Sequence, residues 1–257
     1  MKKLKELSRP PKDLYFSGNF DPAIFENCVA VIGSRRMSEY GKIVVEKIVP
    51  QLIFEKKTVV SGFMYGTDQY AHQVCLDNGG KTIAVLGWGI SKKLSGYDLK
   101  LASQIVNNGG LLISEWETQE GTNWTFPVRD RIIAALSHEI IVTEAAVKSG
   151  ALITVHDAVK LKRKIWAVPG PITSKTSQGT NNLIAMGIAQ MYLSEITQQT
   201  INFDNPILEV LQNESLSTDE ISRKLNRQVR DVGAELTVLL LSGKISEKSG
   251  RYYLRDI

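Results

Sequence analysis

From residue 28 to 195 the chain alternates short apolar runs rich in β-branched residues with longer segments whose apolar positions recur at helical spacing. A parallel sheet with crossover helices produces this pattern, because strands covered on both faces lose the alternating polar positions of a half-exposed strand. The runs predict strands at Cys28 to Ile32, Thr58 to Val60, Thr82 to Leu86, Leu111 to Ser114, Ile140 to Thr143 and Ile165 to Val168. Between the first two, Val44, Val45, Ile48, Val49, Leu52 and Ile53 form a broad apolar stripe, which predicts a helix packed on the sheet. Further helices are expected at Gly66 to Asp77, Leu99 to Asn107, Arg129 to Leu136 and Ala151 to Leu161, most of them preceded by a residue that caps or breaks a helix. The expected fold class is α/β, with a Rossmann-like parallel sheet flanked by helices.

The pattern changes after Gln198. A polar stretch leads to Asp204, Asn205 and Pro206, and proline suits a first helical turn, so a domain boundary is expected near residue 200. Beyond it the sequence predicts a helix from about Pro206 to Gln212, a second opening at Ser217 with Glu220 as its capping-box partner, and a third from about Gln228 to Leu241. A hairpin is expected around Lys248, Ser249 and Gly250. Three short helices with a terminal ribbon resemble a small winged-helix-like C-terminal domain over 205–257. Residues 1–27 read as an N-terminal extension packing on the main domain, 28–200.

Composition narrows the functional classes. Of the 257 residues 43% are hydrophobic and 23% charged, which is ordinary for a globular chain with a sizeable core. No run approaches the length of a membrane span, and the basic start from Met1 to Lys12 is not followed by the apolar stretch of a signal peptide. Cys28 and Cys75 lie in apolar segments without metal-ligand spacing, so they read as buried thiols in a reducing compartment, and the cytoplasm is expected. The net charge is +4. Residues 205–257 carry eight acidic and eight basic side chains, so the whole excess belongs to the larger domain, where any electrostatic grip on nucleic acid should lie.

The candidate chemistry gathers at strand ends. The first strand runs into Gly33, Ser34, Arg35 and Arg36, and in a parallel α/β sheet ligands bind at the carboxyl ends of the strands. A guanidinium there suits phosphate, since its planar fork donates two hydrogen bonds and stays charged. The second strand ends in Ser61, Gly62, Phe63, Met64, Tyr65, Gly66, Thr67 and Asp68, a glycine-bearing turn into a helix that can bring backbone N–H groups to an anion. Asp68 is either a helix cap or a group that orients this loop or meets a base or sugar edge. Gly87, Trp88 and Gly89 close the third strand. Trp88 is either core or a stacking face for a base, and Lys92 and Lys93 follow as point charges for a backbone phosphate.

The stretch Trp124 to Ala134 is the most distinctive. Pro127 fits just ahead of a helix, and Arg129 and Arg131, two apart, point in different directions on it. One can face ligand while the other is tied to Asp130, Glu115 or Glu144. Ser149 and Gly150 open another helix after the fifth strand, either as a further anion nest or with Ser149 as a simple N-cap. His72, His138 and His156 lack a paired acid or thiol at useful spacing, and neither a phosphate-binding Walker loop nor a zinc pattern is present, so catalysis and a cofactor are not expected.

Together these stretches resemble the DNA-processing protein A family, also called Smf. The resemblance runs from about Pro10 to Tyr192, through Gly33-Ser34-Arg35, Ser61-Gly62 with Gly66 and Asp68, Ala71-His72, Thr82 to Gly87, Phe126-Pro127 with Arg129 and Arg131, Ser149 to Thr154, and Val168-Pro169-Gly170. It implies a protein that binds single-stranded DNA, protects incoming DNA and loads the RecA recombinase during natural transformation, with a homodimer as the expected assembly. It further implies that Arg35 and the loop from Gly62 to Asp68 belong to a DNA pocket, supported by Lys92 or Lys93. Three departures stand out: Tyr65 where the family usually has a basic residue, Asp130 for the usual Asn, and Ser91-Lys92-Lys93 in place of a Tyr-Pro segment.

Two other readings remain. A nucleotide-binding or nucleotide-hydrolysing enzyme of Rossmann-like fold would use Glu115 or Glu144 beside the phosphate loops. A transcription regulator would act through the C-terminal domain, against which its neutral charge and the acidic Asp231 and Glu235 on the third helix argue.

Overall fold

The structure is a computed structural model and describes residues 2–193, 205–211, 214–242 and 244–254. The chain divides into two compact units, Met1–Ser194 and Glu195–Ile257. The expected boundary near residue 200 lies outside the described residues.

The larger unit is built on an eight-stranded sheet, and all but one of its strand pairings are parallel. In chain order the elements are β1 (Tyr15–Ser17), β2 (Cys28–Ile32), α1 (Glu39–Phe54), β3 (Thr58–Ser61), α2 (Thr67–Asp77), β4 (Thr82–Val85), α3 (Gly96–Asn107) and β5 (Leu111–Ser114). They continue as α4 (Thr125–Leu136), β6 (Glu139–Val142), α5 (Ala151–Lys160), β7 (Lys164–Ala167), α6 (Gln178–Ala185) and β8 (Gln190–Met191). Across the sheet the strands run β1-β5-β4-β3-β2-β6-β7-β8. The chain thus starts its parallel sheet at the centre with β2, winds outward through β3, β4 and β5, then returns through α4 to lay β6 on the other side of β2. That reversal between β2 and β6 opens a crevice at the strand carboxyl ends.

Every residue of β2 is buried, as its unbroken apolar run requires. Val29 and Val31 face a layer formed with Val45, Val49 and Cys75 of α1 and α2, while Cys28, Ala30 and Ile32 face a layer with Ile132, Ile133 and Val155 of α4 and α5. Burial lifts both cysteine thiols to about 12, which leaves them inert.

The six expected strands and the expected helices form, with ends shifted by up to four residues. Two strands and one helix had no expectation behind them. The edge strand β1 pairs antiparallel with β5, Tyr15 opposite Ser114, and Leu4 and Leu7 ahead of it join the core. The two-residue β8 and the polar helix α6 complete the other edge. Pro127 is not ahead of α4 but third within it. The first N–H groups of a helix have no intrahelical acceptor, so the ring forfeits no bond there.

Glu144 fastens the start of α1. This buried carboxylate accepts from the backbone N–H of Ser38 at 2.9 Å, from its hydroxyl at 2.5 Å and from the Thr176 hydroxyl at 2.9 Å, while Ser38 caps α1 through Gly41. It is therefore neither the partner of Arg129 or Arg131 nor available as a catalytic acid.

In the smaller unit α7 (Pro206–Val210), α8 (Thr218–Leu225) and α9 (Val229–Leu241) enclose a core with Ile207, Ile221, Val232 and Leu236 at its centre. β9 (Ile245–Lys248) and β10 (Arg251–Leu254) pair antiparallel around Ser249 and Gly250. The Ser217–Glu220 capping box forms in both directions. Gln212, the expected end of the first of these helices, lies outside the described residues. Among the described residues no helix is long and apolar enough to cross a membrane.

Glu144→Ala leaves Ser38 as the cap of α1 but removes the carboxylate that holds it, so the part-buried Ser38 amide loses its acceptor. The expected loss is roughly 2–3 kcal/mol of stability, read as a lowered urea midpoint, with Glu144→Gln losing less.

Candidate functional site

At the reversal point lies a cavity of about 480 Å³. Three loops shape it, each at a strand's carboxyl end: Gly33 to Arg36 after β2, Met64 and Tyr65 after β3, and Ala146 to Gly150 after β6. Phe126, Arg129 and Asp130 of α4 and Thr154 of α5 form the rest of its wall.

The rim is basic and the floor is mixed. Arg35, Arg36 and Lys148 are exposed, and none forms an ion pair among the described residues. The Arg35 guanidinium lies over the Phe126 ring, 5.4 Å from its centroid, and faces Asp68 electrostatically. Below the rim Arg129 is buried, 3% exposed, and donates from Nη1 to the Val85 carbonyl at the end of β4. Its Nε stands 3.0 Å from Asp130. The guanidinium and the Asp68 carboxylate together fill the space where a side chain on Gly62 would go.

Asp68 is the second residue of α2, and the helix cap is Gly66. Its carboxylate lies instead beside the Arg129 guanidinium and accepts from the Met64 amide, with the Ser61 hydroxyl, which donates to the Val31 carbonyl at 2.6 Å, close by. Burial raises its pKa while Arg129, these hydrogen bonds and Arg35 lower it. Gly66, at φ +89°, takes a conformation that side chains rarely tolerate. A Cβ there would lie 2.5 Å from the carbonyls of Ser34 and Arg35. That close approach lets the Thr67 amide donate to the Ser34 carbonyl at 3.1 Å, which joins the β2 and β3 loops.

His72 holds the same loop from behind. It is fully buried, and its pKa is lowered to about 4 by loss of hydration, with Gly62 opposing and Arg129 adding to the fall. In the neutral ring Nε2–H donates to the Gly62 carbonyl at 2.6 Å, so Nδ1 accepts from the Thr82 hydroxyl at 2.6 Å.

The structure thus brings Gly33, Ser34, Arg35, Asp68, Arg129, Ser149 and Gly150 to one cavity, with Gly62 and Gly66 shaping it from beneath. It does not bring Arg131 there. That side chain is tied to Glu115 at 2.6 Å, so both arginines of α4 are engaged and neither is the free ligand-facing one expected. Lys92 and Lys93 stand apart as well, in a neighbouring cavity of about 330 Å³ that shares Met64, Tyr65 and Phe126 with the first. Lys92 pairs with Glu120 at 3.3 Å and lies 5.3 Å from the ring centroid of Trp88, which is only 7% exposed and packs edge-on against Phe63 and Phe126. Trp88 is a core residue. Ser149 is not the N-cap of α5, which is Gly150, although its hydroxyl lies 3.4 Å from the Ala151 amide. Lys148 was not expected, yet its signal was present: a lysine in the loop that closes a parallel strand, just ahead of Ser149 and Gly150.

Residues 1–203 match the family described as DNA recombination-mediator protein A. The chain belongs to that family. It is 39% identical to DNA processing protein DprA of Streptococcus pneumoniae over 185 residues, which cover 72% of this chain and 64% of that one. Identity to protein Smf of Escherichia coli is 30% over 267 residues, covering 94% and 71%. Against Smf of Synechocystis the chain spans 49% of the relative's length, so it falls short of two thirds of the S. pneumoniae and Synechocystis relatives. The solved structure of the S. pneumoniae protein superposes with a TM-score of 0.68 at 37% identity, covering 75% of this chain and 67% of that one. DNA processing protein A from Helicobacter pylori, solved for its single-stranded DNA binding mode, gives 0.68 at 29% identity and covers 75% and 87%.

His72 and Asp130 should pull stability in opposite directions with pH. His72 ordinarily titrates near 6.5 and in the fold near 4, so between these values the unfolded chain binds a proton that the native state lacks, and stability falls with acidification. Asp130 rises from 3.8 to about 7, so over that interval the native state holds the extra proton and stability falls as pH rises. Each contributes at most about 1.4 kcal/mol per pH unit. Urea unfolding from pH 4.5 to 6.5 should show Asp130→Asn losing stability on acidification faster than the unaltered chain and His72→Asn more slowly. Parallel curves for all three would refute the assignment.

Proposed function

We propose that the chain binds single-stranded DNA in the cavity at the β2–β6 reversal, protects incoming DNA and delivers it to the RecA recombinase, without itself catalysing a reaction. The observation that carries this reading is Arg35: an exposed guanidinium without an ion-pair partner among the described residues, held over an aromatic ring at the mouth of a cavity rimmed by Arg36 and Lys148. Phosphate needs such a group, and an unpaired cation at the rim grips a polyanion without first breaking an internal salt bridge. The exposed Tyr65, which lines the same cavity, adds an aromatic face on which a base stacks irrespective of sequence. The H. pylori relative, whose single-stranded DNA binding mode has been described, supports the same ligand here.

Nucleotide hydrolysis gains nothing from the geometry, because Glu144 is engaged by Ser38, the cap of α1, and by Thr176, and Glu115 is bound to Arg131. The remaining inferred partners are RecA and a second copy of the chain, in the cytoplasm and without a cofactor. For the smaller unit we propose a winged-helix-like domain that contacts protein in preference to duplex DNA.

Arg35→Ala should weaken oligo-dT binding about tenfold or more at low salt and flatten the dependence of log K on log salt by about 0.7, the share of one phosphate on a single strand. Filter binding or gel shifts at two salt concentrations measure both. An unchanged affinity and slope would remove the cavity as the DNA site.

A further inference from the structure

The cavity floor has an imbalance that its rim does not share. Arg129 is the one buried guanidinium among the described residues there, and two carboxylates face it: Asp130, whose Oδ1 lies 3.0 Å from Nε, and Asp68 from α2. A third, Asp157 of α5, also acts on Asp130, with Lys160, His156 and Arg131 acting on Asp157 in turn. From the β2–α1 loop, Arg35 faces Asp68. Asp130 is itself 9% exposed and lines the cavity. With every carboxylate ionised, the floor carries more negative than positive charge in a place largely removed from water, directly beneath the rim where a phosphate would dock.

We propose that Asp130 makes anion binding in this cavity proton-linked: as a phosphate docks at the rim, Asp130 takes up one proton from the solvent, and its ionised carboxylate opposes docking where protons are scarce. A phosphate is a second negative charge a short way above the first, and in a partly desolvated site two like charges disfavour each other's ionisation. Protonation leaves Arg129 opposite Asp68 alone, a balanced pair. Burial already lifts the Asp130 carboxyl to about 7, with Arg129 opposing the rise and Asp68 and Asp157 adding to it, so the transition lies within ordinary buffers. The linkage rests on the reading of the cavity as a DNA site and makes Asp130 a residue that tunes affinity without touching the strand.

The test uses the full chain and an oligo-dT without a terminal phosphate, so that the ligand does not titrate. Between pH 6.5 and 8.5 its affinity should fall with rising pH, approaching but not exceeding about tenfold per unit, the limit for one proton. Asp130→Asn should bind more tightly than the unaltered chain at pH 8.5 and show a much flatter profile. Because the substitution could disturb α4, calorimetry of the unaltered chain at pH 7.5 in two buffers of different ionisation enthalpy provides a second reading, with uptake of a fraction of a proton up to one expected. Affinity independent of pH with no proton uptake would overturn the linkage and leave the DNA site standing, and so would a profile that Asp130→Asn leaves unchanged. Failure of the unaltered chain to bind at any pH would instead overturn the DNA reading.

Discussion

Arg129 is the constraint around which this part of the molecule is arranged. Its guanidinium sits where three pieces of backbone converge: the end of β4 at Val85, the turn after β3 at Gly62, and its own helix at Asp130. A charge so deeply buried persists only when it is paired and hydrogen-bonded, and removal of one partner leaves the others exposed to a desolvation penalty of several kcal/mol. Gly62 must then be a glycine, since its side-chain space is taken, and Asp68 must be an acid within reach. The shape of the β3 loop follows from that packing, and with it the approach of Gly66 to Ser34 that turns Arg35 outward.

Topology supplies the second half of the arrangement. Reversal of the strand order at β2 places the loops after β2, β3 and β6 side by side although more than a hundred residues separate the first from the last. Two of those loops bring the rim cations, while α4, the helix that crosses back over the sheet, brings Arg129 and Asp130 of the floor and α2 brings Asp68. Glu144, just past the end of β6, reaches back to Ser38 and locks the two halves of the reversal together.

Much of this was legible in the residues themselves. Strands such as β2 and β5 are buried on both faces, so their apolar runs are unbroken and their bounds came out as expected. β1 is half-buried and β8 has two exposed residues, so neither leaves a hydrophobic trace, while α6 opens on Gln178, Gly179, Thr180, Asn181 and Asn182. The arginines of α4 show where spacing stops informing. That residues two apart diverge on a helix was readable, and Arg129 meets its own neighbour Asp130, but the pairing of Arg131 with Glu115 depended on the return of α4 across the sheet. The partners of Glu144 lie 106 and 32 residues away and were invisible for the same reason. Trp88 and Lys92 sit next to the site in sequence, yet the chain turns away from the cavity after β4.

The placement of Arg35 over the Phe126 ring, 5.4 Å from its centroid, has a consequence for the entropy of any encounter. A free arginine loses rotamer freedom when it clasps a ligand, commonly about 0.5–1.5 kcal/mol for a long side chain. Here the planar fork already rests on a ring that is itself wedged beside Gly87 and Trp88. Under the proposed reading of the cavity as a DNA site, preorganisation of this kind would place most of the ordering cost on the flexible polymer and little on the protein, so that the anchor would meet successive segments of a strand without being rebuilt each time.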